Sequence, residues 1–205
     1  TLSTSGIGKV VTSAGSTIDV GVVDGSTAAG GKVIFRAAES LAIAIADDLN
    51  IQLAGGTIRG ASDVSAEIVS TYSGTSLATG NSSGTTLGLN GTTNSIQKDL
   101  NTDYSAVNLA TLRGHLGFDS PLYHLRPGVE ITSSSTDDFN IAADLNFGLL
   151  RFQGEAGVLT LRAQGNLNIN GTLTDGFIAN GTNNPISRDA KLNTSGNAWS
   201  YRLIA

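Results

Sequence analysis

Five carboxylates, Glu130, Asp137, Asp138, Asp144 and Glu155, are spaced so that neighbouring strands could bring two of them together. Two carboxyl groups roughly 5 to 10 Å apart are what acid–base cleavage of a glycosidic bond requires. A local reading competes with this one. Asp137-Asp138 sits in a Ser/Thr-rich stretch, where aspartate favours turns because it bonds its own backbone. The local reading is preferred, and no catalytic residue is assigned. The two histidines, His115 and His124, lie either side of Pro121 without the i, i+4 spacing of a helical zinc pair. A zinc site needs three or four ligands, and the chain contains no cysteine. Asp47-Asp48 and Asp137-Asp138 lack the Gly-Gly-x-Gly-x-Asp repeat that binds calcium in solenoids. No metal and no cofactor is expected.

What remains is recognition by amides and aromatics. Asn166, Asn168 and Asn170 share one face of an alternating segment. They can hydrogen-bond amide to amide with equivalents on a neighbouring strand, or present hydrogen-bonding groups to a glycan. Tyr72, Tyr104 and Tyr123 are the candidate aromatic surface contacts. Trp199 and Tyr201 fall in phase with Leu203, so period two assigns them to a core. Asn-x-Ser/Thr matches at Asn81, Asn90, Asn170, Asn180 and Asn193 carry little weight in a chain so rich in these residues.

These residues must be held by strands. From Val158 to Leu173 the odd positions Leu159, Leu161, Ala163, Leu167, Ile169 and Leu173 are apolar, with Gly165 and Gly171 in the gaps. The even positions Thr160, Arg162, Gln164, Asn166, Asn168, Asn170 and Thr172 are polar. Side chains alternate faces along an extended chain, so one face is expected in a core and the other in water. The glycines mark corners. Gly31 to Ile43 aligns on Gly157 to Ile169 without gaps, sharing the glycine, Arg-Ala, leucine and isoleucine. A looser copy starts at Gly128-Val129-Glu130-Ile131 and runs on to Phe139, Ile141, Leu145 and Phe147. Repeated strands that each bury one face are what a solenoid needs, because one coil cannot cover its own apolar side. The expected architecture is therefore all-β, the coils of a parallel β-helix.

Composition agrees. Of 205 residues 26 are glycine, and only 5% are aromatic, which suits a narrow lumen filled by aliphatic side chains. A net charge of -5 and a pI near 4.8 argue against a nucleic-acid partner, whose phosphates call for a basic stripe. No apolar stretch long enough to cross a membrane occurs; Asp47 and Asp48 interrupt the run from Leu41 to Leu53. No membrane insertion is expected. Solenoid coils are expected over 1–95 and 125–205. Between them, 96–124 reads as a helical and loop insertion on the flank. Ile96, Leu100, Tyr104, Val107 and Thr111 recur every three or four residues, so 101–116 predicts one amphipathic helix. Glu39 and Asp47 are placed at corners. The chain starts Thr1-Leu2-Ser3 and stops within an alternating run, so it reads as a fragment of something longer.

Several separated stretches match one known family. Leu125-Arg126-Pro127-Gly128-Val129-Glu130-Ile131, the run from Gly157 to Gly171 continuing to Leu173-Thr174-Asp175-Gly176-Phe177, and Trp199-Ser200-Tyr201-Arg202-Leu203 together resemble the filamentous-haemagglutinin-like exoproteins of Gram-negative bacteria. The region from Gly30 to Ser70 is similar to a preceding repeat of that family. The resemblance implies a right-handed parallel β-helix, export of a long parent by an outer-membrane two-partner-secretion transporter, and a secreted or cell-surface location. It also implies a role in adhesion, aggregation or contact-dependent competition. The family's amino-terminal secretion motif is missing, and Asn183-Asn184-Pro185-Ile186 does not replace it. The chain is therefore expected to be a non-enzymatic adhesin shaft, with a host or bacterial surface glycan or protein as partner. Two other readings stand beside it: a filament subunit that self-associates end to end through open coils, and a polysaccharide-acting β-helix enzyme.

Overall fold

A computed structural model describes residues 8–22, 27–39, 50–53, 55–78, 88–89, 96–134, 136–142, 144–148, 150–178, 191–192 and 197–205. Leu41 and Ile43 of the first repeat and the expected corner residue Asp47 lie outside them. In chain order the strands are β1 (Val10–Val11), β2 (Thr17–Asp19), β3 (Lys32–Ala38), β4 (Ile51–Gln52), β5 (Thr57–Arg59), β6 (Asp63–Ser73), β7 (Ser76–Ala78) and β8 (Gly88–Leu89). Helices α1 (Ile96–Asp103) and α2 (Ala106–Leu116) follow. After them come β9 (Tyr123–Thr132), β10 (Phe139–Ile141), β11 (Leu145–Asn146), β12 (Val158–Arg162), β13 (Leu167–Ile169) and β14 (Leu173–Thr174). The last are β15 (Phe177–Ile178), β16 (Lys191–Leu192) and β17 (Ser200–Ile204). Among the described residues the fold is all-β with two short helices, and its sheets are predominantly parallel. Two compact units divide the chain: Thr1–Ser70 with Ala106–Arg126, and Thr71–Ser105 with Pro127–Ala205.

In the first unit three strands occur in succession and then recur. β1 pairs with β4, β2 with β5 and β3 with β6, each ladder parallel. Parallel pairing needs a crossover, and here two other strands of the unit supply it. Val33, Phe35 and Ala37 of β3 lie opposite Val64, Ala66 and Ile68 of β6, and all six are buried. This is the period-two face that the sequence shows. Arg36 on the other face reaches Glu67 at 3.1 Å, and Glu67 is only 1% exposed. Gly60 is placed by contact: its φ is 67°, and an added Cβ would stand 2.2 Å from Gly21 Cα. Glu39 follows β3; its N–H bonds the Val69 carbonyl, and its carboxylate accepts a hydrogen bond from Ser70 Oγ.

The second unit repeats the arrangement more completely. β9 pairs with β12 from Gly128↔Val158 to Thr132↔Arg162, and β12 pairs onward with β17 from Val158↔Ser200 to Arg162↔Ile204. β10 lies between β7 and β13, and β11 pairs with β14. Columns of like side chains result, Val129–Leu159–Tyr201 and Ile131–Leu161–Leu203. Val129, Ile131, Leu159 and Leu161 are completely buried, and each such side chain is worth about 1.5–3 kcal/mol in removal from water. Gly165 and Gly171 separate β12, β13 and β14, as corners should.

Gly157 enters β12 with no room for a side chain. A Cβ there would meet the Trp199 ring at 2.5 Å and the Pro127 carbonyl oxygen at 2.8 Å. Gly157→Ala should destabilise the second unit by about 1–3 kcal/mol, the usual cost of overpacking. Thermal denaturation followed by circular dichroism checks it.

Three expectations need correction. Ile169, assigned to the inward face, is 43% exposed, because β13 pairs only with β10 among the described residues and nothing described covers its other side. Thr160, assigned to the water-facing side, is 1% exposed. It lies between Glu130 and Arg202 on the flanking strands, whose longer side chains shield it. The single helix over 101–116 is two helices, broken at Tyr104 and Ser105. Ser105 immediately precedes α2, at a position where serine is a preferred cap. The break resets the apolar stripe: Leu109, Leu112 and Leu116 are buried, while Val107 is 76% exposed.

Candidate functional site

A polar ladder runs along the β10–β13 face of the second unit. Asn168 Nδ2 donates to Asn140 Oδ1 at 3.0 Å, joining residues 28 apart in the chain. The same amide nitrogen lies 3.3 Å from Asp138 Oδ2. This is the amide-to-amide contact expected of Asn168. Parallel pairing sets Asn140 beside Asn168 and Phe139 beside Leu167, so one register aligns the amides outside and the apolar chains inside. Asn166 and Asn170 are exposed, and their backbone N–H groups bond Asp138 Oδ1 at 2.7 Å and the Ile141 carbonyl at 2.8 Å.

Side chains also link strands at the corners. Asp144 Oδ1 accepts the Thr172 N–H at 2.8 Å, again across 28 residues. Ser133 Oγ accepts the Gln164 N–H at 2.8 Å and donates to the Asp137 carbonyl at 2.7 Å. Corner N–H groups have no ladder partner of their own, and a buried or half-buried donor left unpaired is costly. Short acceptors one layer away satisfy them.

Each carboxylate considered for catalysis has a place in this scaffold. Glu130 faces Arg162 at 3.5 Å, Asp137 accepts the Ser134 hydroxyl at 2.6 Å, and Asp138 and Asp144 bond the next layer. Glu155 belongs to the tight bridge Phe152↔Glu155, beside Gln153 with its φ of 55°. Among the described residues no three histidine, aspartate or glutamate side chains converge in a metal-binding group. His115 is exposed on α2 and His124 half-buried in β9.

The tyrosines divide. Tyr104 is 3% exposed and packs against Phe152 at 5.7 Å, so its assignment as a surface contact is overturned. It continues the Ile96, Leu100 stripe of α1 into the core. Tyr72 is half-buried and donates to Asp99 Oδ2 at 3.2 Å. Tyr123, in the first unit, stacks on Phe118 with centroids 4.8 Å apart.

Comparison of the chain with family models, curated proteins and solved structures finds no match. No helix among the described residues is long and apolar enough to cross a membrane.

A feature the sequence did not single out is the knot around Trp199. Its N–H donates to Asp175 Oδ2 at 2.5 Å, its Nε1–H donates to the Leu150 carbonyl at 2.9 Å, and its ring lies 5.0 Å from that of Phe147. Arg151 holds Asp175 at 3.2 Å. The apolar phase of Trp199 was readable in the sequence, but its hydrogen-bond partners are distant in the chain and carry no local pattern.

Asp138 gives the ladder a pH limit. The Asn166 N–H bond, with further bonds from the Asn166 and Asn168 side chains, holds its carboxyl below the usual 3.8 against a smaller opposing effect of burial. A carboxyl depressed in the fold contributes stability above its unfolded value, which is lost as pH falls through the folded value. Asp138→Asn should therefore flatten the acid limb of the stability curve below about pH 4. Melting temperatures of the two proteins between pH 2 and pH 5 check it, and parallel curves would count against the assignment.

Proposed function

We propose that the chain is a segment of a right-handed parallel β-helix from a secreted bacterial surface adhesin of the filamentous-haemagglutinin-like kind. On this reading it is a non-enzymatic shaft. An outer-membrane two-partner-secretion transporter exports its parent, and the shaft holds a recognition region for a glycan or protein away from the cell in adhesion or aggregation. The observation that carries the reading is the parallel stacking of the second unit, with β12 between β9 and β17, and with side-chain bonds from Asn140 to Asn168 and from Asp144 to Thr172 joining β10 and β11 to the layer of β13 and β14. Parallel stacking of this kind distributes load over many backbone bonds. Each backbone bond contributes only about 1 kcal/mol net, and neighbouring layers stabilise one another.

The functional test is display on a Gram-negative cell, with and without a lectin tip beyond the chain. Cells carrying the tip should bind the lectin's sugar, and cells carrying the chain alone should not. Binding by the chain alone would make it the recognition region. Release of reducing ends from polysaccharide by the purified chain would contradict a non-enzymatic shaft.

A second reading, self-association, has its own observation. Leu203 continues a buried column yet is 44% exposed, and exposed strand edges are templates for pairing.

A further inference from the structure

Two strand edges of this chain are complementary in direction, backbone phase and side-chain pattern. In β17 the Ser200 N–H bonds the Gly157 carbonyl, and the Ile204 carbonyl accepts the Ala163 N–H. The even-numbered residues thus direct their backbone groups to β12, and Tyr201 and Leu203 direct theirs to the opposite edge. In β3 the Gly31 carbonyl accepts the Ser62 N–H, and the Glu39 N–H bonds the Val69 carbonyl. There the odd-numbered residues serve β6, and Lys32 and Ile34 point their backbone groups the other way. Among the described residues no strand pairs with either outer edge. Leu203 is 44% and Ile34 52% exposed.

The repeat supplies the register. β3 aligns with β12 by the shared Gly31/Gly157 and Arg36-Ala37/Arg162-Ala163. β12 receives β9 on the edge that its even-numbered residues serve, with Val129 opposite Leu159 and Ile131 opposite Leu161. A strand received by β3 in the same manner must place aliphatic or aromatic residues opposite Val33 and Phe35. It must also aim the backbone groups of those residues at β3. Tyr201 and Leu203 of β17 meet both conditions.

We propose that a second copy of this chain docks here, its β3 lying parallel to β17, with Tyr201 opposite Val33 and Leu203 opposite Phe35. The Tyr201 N–H would bond the Lys32 carbonyl, the Ile34 N–H the Tyr201 carbonyl, and the Leu203 N–H the Ile34 carbonyl. Arg202 would lie beside Ile34 and diagonal to Arg36, as it already lies beside Thr160 and diagonal to Arg162 within the chain. The contact joins different surfaces of the two copies, so each bound copy leaves one edge of each kind open to a further copy. This inference rests on the parallel-ladder reading of the proposed function and specifies the partner surface of its self-associating form.

The chain has no cysteine, so two single variants, Ser200→Cys and Lys32→Cys, report the contact directly. Opposed positions on neighbouring strands stand about 4.8 Å apart, within disulfide reach. Mixed and mildly oxidised, the two proteins should give a linked pair containing one of each, increasing with concentration. Adding Leu203→Asp to the Ser200→Cys chain should weaken that pairing by at least about tenfold, the equivalent of one lost apolar side chain. Linked pairs of Ser200→Cys with itself alone would overturn the proposal in favour of a two-fold contact, and no linkage at any concentration would overturn docking outright. Hydrogen exchange at the Ala163 amide, bonded to Ile204, separates the two causes of failure. Protection without linkage leaves the β12–β17 ladder standing and removes only the docking; rapid exchange removes both.

Discussion

Leu161→Asp should unfold the second unit, whereas Ile169→Asp, a like change on the next strand, should leave it folded. Leu161 is completely buried between Ile131 and Leu203. Replacing it removes an apolar side chain worth about 2–5 kcal/mol in a core and buries a carboxylate with no partner, which adds several kcal/mol or forces its protonation. The sum is of the order of an entire domain's stability, about 5–15 kcal/mol. Ile169 has the same place in the sequence alternation but is 43% exposed on the edge strand β13. A charge there stays hydrated, and the cost should not exceed about 1 kcal/mol. Urea denaturation of the two variants checks the contrast. Equal losses would mean that Ile169 is covered as Leu161 is.

Trp199→Ala should be the second large effect, about 3–5 kcal/mol. The side chain is 4% exposed, rests against Phe147, and stands where a Cβ on Gly157 would collide with it. Its removal opens a cavity over Gly157 and leaves the Leu150 carbonyl without the indole N–H. The Trp199 N–H to Asp175 is a backbone bond and survives the substitution in principle, so packing should dominate the loss. Far-ultraviolet circular dichroism follows the unfolding, since the chain's one tryptophan is the residue removed. A loss below about 1 kcal/mol would show that the knot does not hold β17 in place, because surface substitutions cost little.

Much of this arrangement is legible in the sequence because period two is a local property. Val33, Phe35 and Ala37, and Leu159, Leu161 and Ala163, alternate in the sequence and are buried in the fold. The resemblance of Gly31–Ile43 to Gly157–Ile169 announces strands of one kind, and Asn168 finds the amide partner that a stacked ladder provides. Burial that depends on the next layer is not legible. Ile169 and Leu161 look alike in the sequence, and only the presence of a flanking strand distinguishes them. Thr160 and Glu67 look solvated until the residues beside them on adjacent strands are known. Tyr104 is different: the Ile96, Leu100, Tyr104 spacing that buries it is already visible in the sequence, and it outweighs a surface role. The short strand β7 within a Gly/Ser/Thr-rich stretch escaped reading because three residues carry too little pattern, and its pairing with β10 comes from tertiary neighbours.

The central claim is that β10 and β13 are parallel neighbours in one fixed register, Asn140 beside Asn168. In a chain free of cysteine the most direct measurement is disulfide formation in the paired variant Asn140→Cys/Asn168→Cys, compared with Asn140→Cys/Asn170→Cys on the same face. In-register positions lie within bonding reach, and positions two residues off lie about 7–8 Å away, beyond it. The expected result is rapid, intramolecular closure of the first pair and none of the second. Equal closure of both, or closure of the second alone, would contradict the register and with it the repeating layer on which the proposed shaft depends.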